Sequence, residues 1–227
     1  MRRSLVFSIL FSTTLVCGIG AQAQLLITGQ DTTSRIITTP VAFLNFSPDA
    51  RSAAMGDAGV ALSADANATF WNAAKLPYTE KDYGVSLSYT PWLRNLVDDM
   101  YFTYLTGYKK VAKGQAIAFS INYFDLGMIE FRNQQGISTG TFKSSEFMGG
   151  LTYSRQLSQD FSLGVTLKYI NSNLAGSSII NGVSIRPAST AAGDISAYYK
   201  KEYNNEETGG SLIWSWGAVI SNLGGKV

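Results

Sequence analysis

The stretch DFSLGVTLKY, Asp160 to Tyr169, alternates with a period of two. Phe161, Leu163, Val165, Leu167 and Tyr169 fall on one face, and Ser162, Gly164, Thr166 and Lys168 on the other. That period marks a β-strand whose two faces meet different environments. The second face decides which environments they are. A soluble antiparallel sheet buries its apolar face and turns a strongly polar one to water. Here the second face is mostly small, which suits a crowded or watery interior and leaves the apolar face for lipid.

The same pattern extends outward from this segment. Ile117, Phe119, Ile121 and Tyr123 oppose Ala116, Ala118, Ser120 and Asn122, and Val85, Leu87 and Tyr89 oppose Gly84, Ser86 and Ser88. Strands of about ten residues with aromatics near their ends are the pattern of an outer-membrane barrel. Strands are expected over 82–92, 98–109, 114–131, 144–157, 160–173, 190–202 and 210–222. Short turns at 111–113, 158–159 and 203–209 then alternate with loops at 93–97, 132–143 and 174–188. In such barrels short turns face the periplasm and longer loops the cell exterior. The alternation holds if Asp125-Leu126-Gly127 is a bulge inside one long strand. The expected fold class is therefore all-β, an antiparallel outer-membrane barrel with a short helical plug at its N-terminus. Seven strands are an odd number, and lipid does not tolerate an open sheet edge. Either this chain is the N-terminal half of a larger barrel or a partner closes it. A secreted β-sandwich is the competing reading.

Composition agrees with a lipid-facing exterior. Hydrophobic residues make up 45% and charged residues 15%, with 12 Tyr, 12 Phe and 4 Trp, whereas a soluble domain carries about 25% charged residues. The first 23 residues read as a signal peptide: basic Arg2-Arg3, an apolar run from Leu5 to Val16, and Ala21-Gln22-Ala23 as the cleavage site. The apolar run is too short to span a bilayer, and Val16 before Cys17 makes a poor lipobox. Removing Arg2 and Arg3 from 18 bases leaves 16 against 16 acids. A near-neutral chain gives nucleic acid no electrostatic purchase. The single cysteine, Cys17, leaves with the signal, and the chain has no histidine. Disulfides, thiol chemistry, His-based metal sites and His general bases are thereby excluded. No catalytic, metal or cofactor residues are expected, and the chain is not read as an enzyme.

Between signal and strands lies a stretch of small residues, Met55 to Leu76, that closes on Phe70-Trp71-Asn72. Ser47-Pro48-Asp49 reads as a helix start and Gly56 as its stop, with Asp65 capping a second turn toward Phe70-Trp71. Small side chains let two such turns pack closely inside a barrel. Gly56-Asp-Ala-Gly59 lacks the strand-to-helix frame of a phosphate loop, and Asp65-Ala-Asn67 lacks the glycine and glutamate of a calcium loop.

The run Ser47-Pro-Asp-Ala-Arg-Ser-Ala-Ala-Met-Gly-Asp-Ala-Gly-Val60, continued through Leu76, resembles the N-terminal signature of the PorV family of the type IX secretion system. Tyr83 to Leu96 is similar to that family's first strand and loop. Tyr123-Phe-Asp-Leu-Gly127, Tyr153-Ser-Arg-Gln-Leu157, Leu167 to Leu174 and Ala218 to Gly224 extend the likeness over nearly the whole mature chain. Asn72-Ala73-Ala74 departs from the Asn-Pro-Ala of the wider FadL-like barrel class. The resemblance implies fourteen strands, of which this chain has about half, and an N-terminal segment tucked into the lumen. It further implies a receptor that collects cargo from the type IX secretion translocon by its C-terminal signal domain. Cargo then passes to a cell-surface attachment complex containing a sortase-like protease. A FadL-like transporter of hydrophobic molecules is the alternative, marked by an apolar lumen pocket.

On this reading the organisation is 1–23 signal peptide, 24–80 N-terminal segment and lumenal plug, and 81–227 half-barrel in the bacterial outer membrane. Partner contacts are expected at Trp92, Leu93 and Arg94, where Trp and Arg are residue types enriched at hot spots; Trp92 reads equally as part of an interfacial aromatic belt. Glu130 and Arg132 alternate with Ile129 and Phe131 and are expected to point inward near the mouth, pairing or touching cargo. Ile179 and Ile180 in the 174–188 loop are further contact candidates. Asp57, Asp65, Trp71 and Asn72 are expected to fasten the plug to the wall.

Overall fold

In the computed structural model of the chain, the seven alternating segments become one curled antiparallel sheet. The structure describes residues 41–132, 135–174, 178–180, 183–185, 187–205 and 210–224. The signal-peptide reading of 1–23 lies outside the described residues. The strands are β1 (Tyr83–Pro91), β2 (Tyr101–Ala112), β3 (Gln115–Arg132), β4 (Ser138–Gln156) and β5 (Phe161–Asn173). A small hairpin of β6 (Ser178–Ile180) and β7 (Val183–Ile185) follows, then β8 (Ala188–Asn205) and β9 (Gly210–Gly224). The order in the large sheet is β1-β2-β3-β4-β5-β8-β9, a meander in which β6 and β7 form a separate two-stranded sheet. β1 and β9 are its two edges. The expected loop over 132–143 is shorter than the sequence suggested, because β4 starts at Ser138. The expected 174–188 loop carries the β6–β7 hairpin.

The two faces differ as the alternation requires. Leu151 and Leu167 are 71% and 69% exposed, and one ladder row joins Val85, Gly107, Phe119, Leu151 and Leu167 on this outward apolar face. Ser120, Thr152, Ser154, Ser162, Thr166 and Ser196 are buried on the opposite face. Toward the loop end of the sheet the buried face becomes apolar, with Phe102, Tyr104, Phe124, Met148 and Ile170.

β3 continues through a bulge, as expected. Its register to β4 shifts between Asp125 and Met128, with Gly127 at a φ of 78° and the Gly127 amide donating to Asp125 Oδ1 at 3.0 Å. The extra residue has a consequence that alternation alone misses. Before the bulge even-numbered residues such as Asn122 and Phe124 are buried. After it Met128 pairs with the exposed Lys143 and Glu130 with the exposed Thr141. Glu130 and Arg132 are therefore on the outward face, not the inward one, because a bulge inverts the facing of every residue beyond it.

The segment before β1 packs on the buried face. It runs through a 3-10 turn, Ala42–Asn45, a short helix, Ala50–Ala54, a single helical turn, Ala68–Trp71, and a second 3-10 turn, Ala73–Tyr78. The helix cap is Asp49, whose Oδ2 accepts from the Ser52 amide at 2.9 Å; Ser47 lies outside the cap position. The helix ends at Ala54, and Gly56 follows with a φ of 71°. Asp65 caps the next turn, its Oδ1 accepting from the Ala68 amide at 3.1 Å.

Candidate functional site

The N-terminal segment meets the sheet in two chemically different zones. Toward the turn end, contact is by hydrogen bonds. The Ala74 amide donates to Ser196 Oγ at 3.1 Å, and Ser162 Oγ donates to the Ala74 carbonyl at 2.5 Å. Asn72 Nδ2 donates to the Ala197 carbonyl at 3.0 Å and to the Val60 carbonyl at 3.1 Å. Ser215 Oγ donates to the Ala61 carbonyl at 3.0 Å. The segment thus bonds to β5, β8 and β9. Small wall residues allow the backbone to come this close. A Cβ on Gly164 would stand 2.7 Å from the Ala74 nitrogen, and one on Gly217 2.8 Å from the Val60 oxygen. The small face of DFSLGVTLKY therefore serves as a docking surface for the chain's own N-terminal segment.

Toward the loop end, contact is apolar. Phe43, Leu44 and Phe46 pack into the pocket lined by Phe102, Tyr104, Phe124, Met148 and Ile170. Phe46 stacks on Trp92 with centroids 4.4 Å apart and meets Phe124 edge-on at 5.4 Å. Sequence reasoning missed these residues. The run Val41-Ala-Phe-Leu-Asn-Phe46, directly before the cap at Asp49, was the available signal.

The two small helices are tied to each other by Asp49, whose Oδ1 accepts from Trp71 Nε1 at 2.7 Å. Asn72 Oδ1 accepts from the Ala74 amide at 3.0 Å, so this one buried side chain makes three hydrogen bonds. Asp65 faces Arg51 at 3.6 Å and bonds within the segment rather than to the wall. Asp57 is exposed at a φ of 61° and serves as a turn residue after Gly56.

Lys75 was not expected in this network. It is 2% exposed, and its Nζ donates to the Gly59 carbonyl at 2.6 Å. Burial lowers its pKa from 10.5 to about 8, with Asp65 opposing the shift. A depressed lysine pKa means that the folded state carries the cost of a buried cation below pH 8, where lysine is protonated folded or unfolded. That cost fades as pH rises from about 8 to 10.5 and amounts to about 3 kcal/mol. Unfolding midpoints of the native chain should therefore rise relative to Lys75→Met across this window. A constant difference would show that Lys75 does not titrate there.

At the loop end, β1 and β2 are joined by a folded loop. The Trp92 amide donates to the Met100 carbonyl at 2.9 Å, and the Leu96 and Val97 amides both donate to the Leu93 carbonyl. Leu93 has a φ of 50°. Trp92 is turned onto Phe46 and Phe124 on the buried face, away from the outward belt. Leu93, Arg94, Leu96 and Val97 are exposed, Leu96 at 80%. The loop is anchored to the bulge by the Met128 amide, which donates to Asp99 Oδ2 at 2.8 Å. Glu130 and Arg132 pair with each other at 2.7 Å. Ile179 pairs with Ser184 and Ile180 with Val183 in the β6–β7 hairpin, and their side chains lie outside the described residues.

A search of curated proteins returned no match. The family model described as "Type IX secretion system protein PorV" matches residues 29–227, a span that takes in the N-terminal segment and all nine strands. The chain belongs to the PorV family and is a component of the type IX secretion system.

Proposed function

We propose that this protein is an outer-membrane receptor and shuttle that binds the C-terminal signal domain of secreted cargo and delivers it to the cell-surface attachment complex. The observation that carries this reading is the filled pocket. An apolar site on the buried face, which a carrier of hydrophobic molecules would need, is occupied by the chain's own Phe43, Leu44 and Phe46. Exposed apolar side chains are left at the loop end, where Leu93, Leu96 and Val97 surround Arg94. A near-neutral surface favours shape and apolar contact over electrostatic steering.

The membrane arrangement follows from the same faces. The apolar face lies against lipid, short connections such as Lys113-Gly114 and 157–160 lie in the periplasm, and the 92–100 loop lies outside the cell. The segment 41–80 is a lumenal plug. The edges of β1 and β9 must be paired in a bilayer, by strands of a larger barrel or by a partner.

Capture of the protein from native membranes should recover cargo that shares a C-terminal β-domain and partners from the secretion and attachment machinery. The double variant Leu93→Asp/Leu96→Asp should lower cargo recovery by about tenfold or more, the scale of an interface hot spot, without loss of the folded barrel. Undiminished cargo in that variant would remove the loop from the interface. Fatty acids in the lumen with no cargo would instead favour the transporter.

A further inference from the structure

The outward face ends differently at its two ends. Its apolar band is flanked at the loop end by Tyr89, Tyr101 and Tyr123, whose rings follow one another at 5.4 and 6.1 Å. At the turn end Tyr199 stacks on Trp216 at 5.9 Å and meets Trp214 edge-on at 5.9 Å. Two aromatic rows bracketing an apolar band mark the two interfaces of a bilayer. The cations beside the rows are what distinguish the ends.

At the loop end, two strand cations among the described residues are paired with acids. Lys143 lies 2.8 Å from Asp125, and Arg132 lies 2.7 Å from Glu130. In the turn-end half of the sheet three outward cations stand on every second strand, β2, β4 and β8. Lys109 pairs across the strands with Tyr83 and Ile117, Arg155 with Gln115 and Leu163, and Lys201 with Trp214. The ion pairs among the described residues join Arg51 to Asp65, Arg132 to Glu130, Lys143 to Asp125 and Lys168 to Asp194, and include none of these three. Lys201 Nζ stands 5.4 Å from the centroid of the Tyr203 ring.

We infer that Lys109, Arg155 and Lys201 form a belt that binds the phosphates of anionic phospholipids in the periplasmic leaflet. The inference rests on the outer-membrane reading above. These side chains project from the sheet's lipid-facing positions rather than from the tips of the turns. Lysine and arginine stems are long enough to cover apolar surface while the charged end sits at the interface. The dense anion at that depth is the headgroup phosphate. An acidic protein would have to displace lipid to reach the same positions. Each cation near such a surface enriches anionic lipid roughly fivefold, and the arrangement would hold the barrel at a fixed depth with its loop end outward.

The test uses the protein purified from its native membrane and reconstituted into phosphatidylcholine vesicles carrying brominated phosphatidylglycerol or, separately, brominated phosphatidylcholine. Trp214 lies opposite Lys201 and Trp216 two positions on, so bromine quenching of tryptophan fluorescence reports the lipid at the Lys201 end of the belt. Stronger quenching by phosphatidylglycerol is expected, with the preference abolished in Lys109→Gln/Arg155→Gln/Lys201→Gln and by high salt in the native chain. The salt arm keeps the test decisive if the triple variant does not fold. Equal quenching by the two lipids, or a preference that survives both the substitutions and salt, overturns the belt and leaves the barrel reading standing. No quenching by either lipid overturns the membrane reading on which the belt rests.

Discussion

Replacing Asn72 with alanine should release the N-terminal segment from the wall while the sheet stays folded. Asn72 is 1% exposed and holds three backbone groups at once: the carbonyls of Val60 and Ala197 and the amide of Ala74. Alanine removes all three bonds; the Ala74 amide keeps Ser196 Oγ, and the Val60 and Ala197 carbonyls lose their Asn72 donor. Each buried group left without a partner costs about 1–3 kcal/mol. A total loss of about 3 kcal/mol or more corresponds to roughly a hundredfold increase in opening. Amide hydrogen exchange should show that increase at residues 68–78. Asp57→Asn is the control. It keeps a residue that tolerates the left-handed backbone at an exposed site, so its effect should stay within about 0.5 kcal/mol. If both variants exchange alike, Asn72 is not what fastens the segment.

The contrast between Asp57 and Asn72 also marks how far the sequence could be read. Both are polar residues in a run of small ones, and nothing in their spacing separates a turn residue from an anchor. The difference is made by Gly217 and Gly164, which lie far along the chain and leave room for Asn72 and Ala74 to reach the wall. Strands were legible because alternation is local. Each of the seven expected segments matches an observed strand within three residues at either end, except that β4 starts at Ser138 rather than 144, and the bulge at Asp125–Gly127 kept the long strand whole. Facing beyond the bulge was a second inference from the same feature. Counting parity straight through it put Glu130 and Arg132 on the wrong side.

The inner aromatic zone was hidden for a different reason. β2 carries Tyr101, Phe102, Tyr104 and Tyr108, so aromatics fall on both of its faces and mask the alternation. Trp92 beside a loop reads naturally as an interfacial residue. Its actual partner, Phe46, is supplied from before β1 and becomes visible only when the segment is folded back. Lys75 shows the same limit. A lysine flanked by Ala74 and Leu76 looks like a surface position until Gly59 is brought to its ammonium.

Emptying the aromatic pocket should have the largest effect and should separate the two functional readings. Phe43 has no exposed surface, and Phe46 contacts Trp92, Phe102 and Phe124. Removing a buried phenylalanine costs about 3–5 kcal/mol, part of it for the cavity left behind. Phe43→Ala should therefore lower the unfolding midpoint markedly. The double variant Phe43→Ala/Phe46→Ala should add a further loss that is less than additive, because both side chains fill one space. The cavity, walled by Phe102, Phe124, Met148 and Ile170, should stay dry and accept a small apolar molecule. Added benzene should then restore part of the lost stability in the variants and do nothing for the native chain. Cargo capture should fall with the plug, since Phe46 supports Trp92 at the root of the exposed loop. A carrier of hydrophobic molecules behaves in the opposite way. If the native chain takes up fatty acid tightly without any substitution, Phe43 and Phe46 are a displaceable gate, and the shuttle reading gives way to transport.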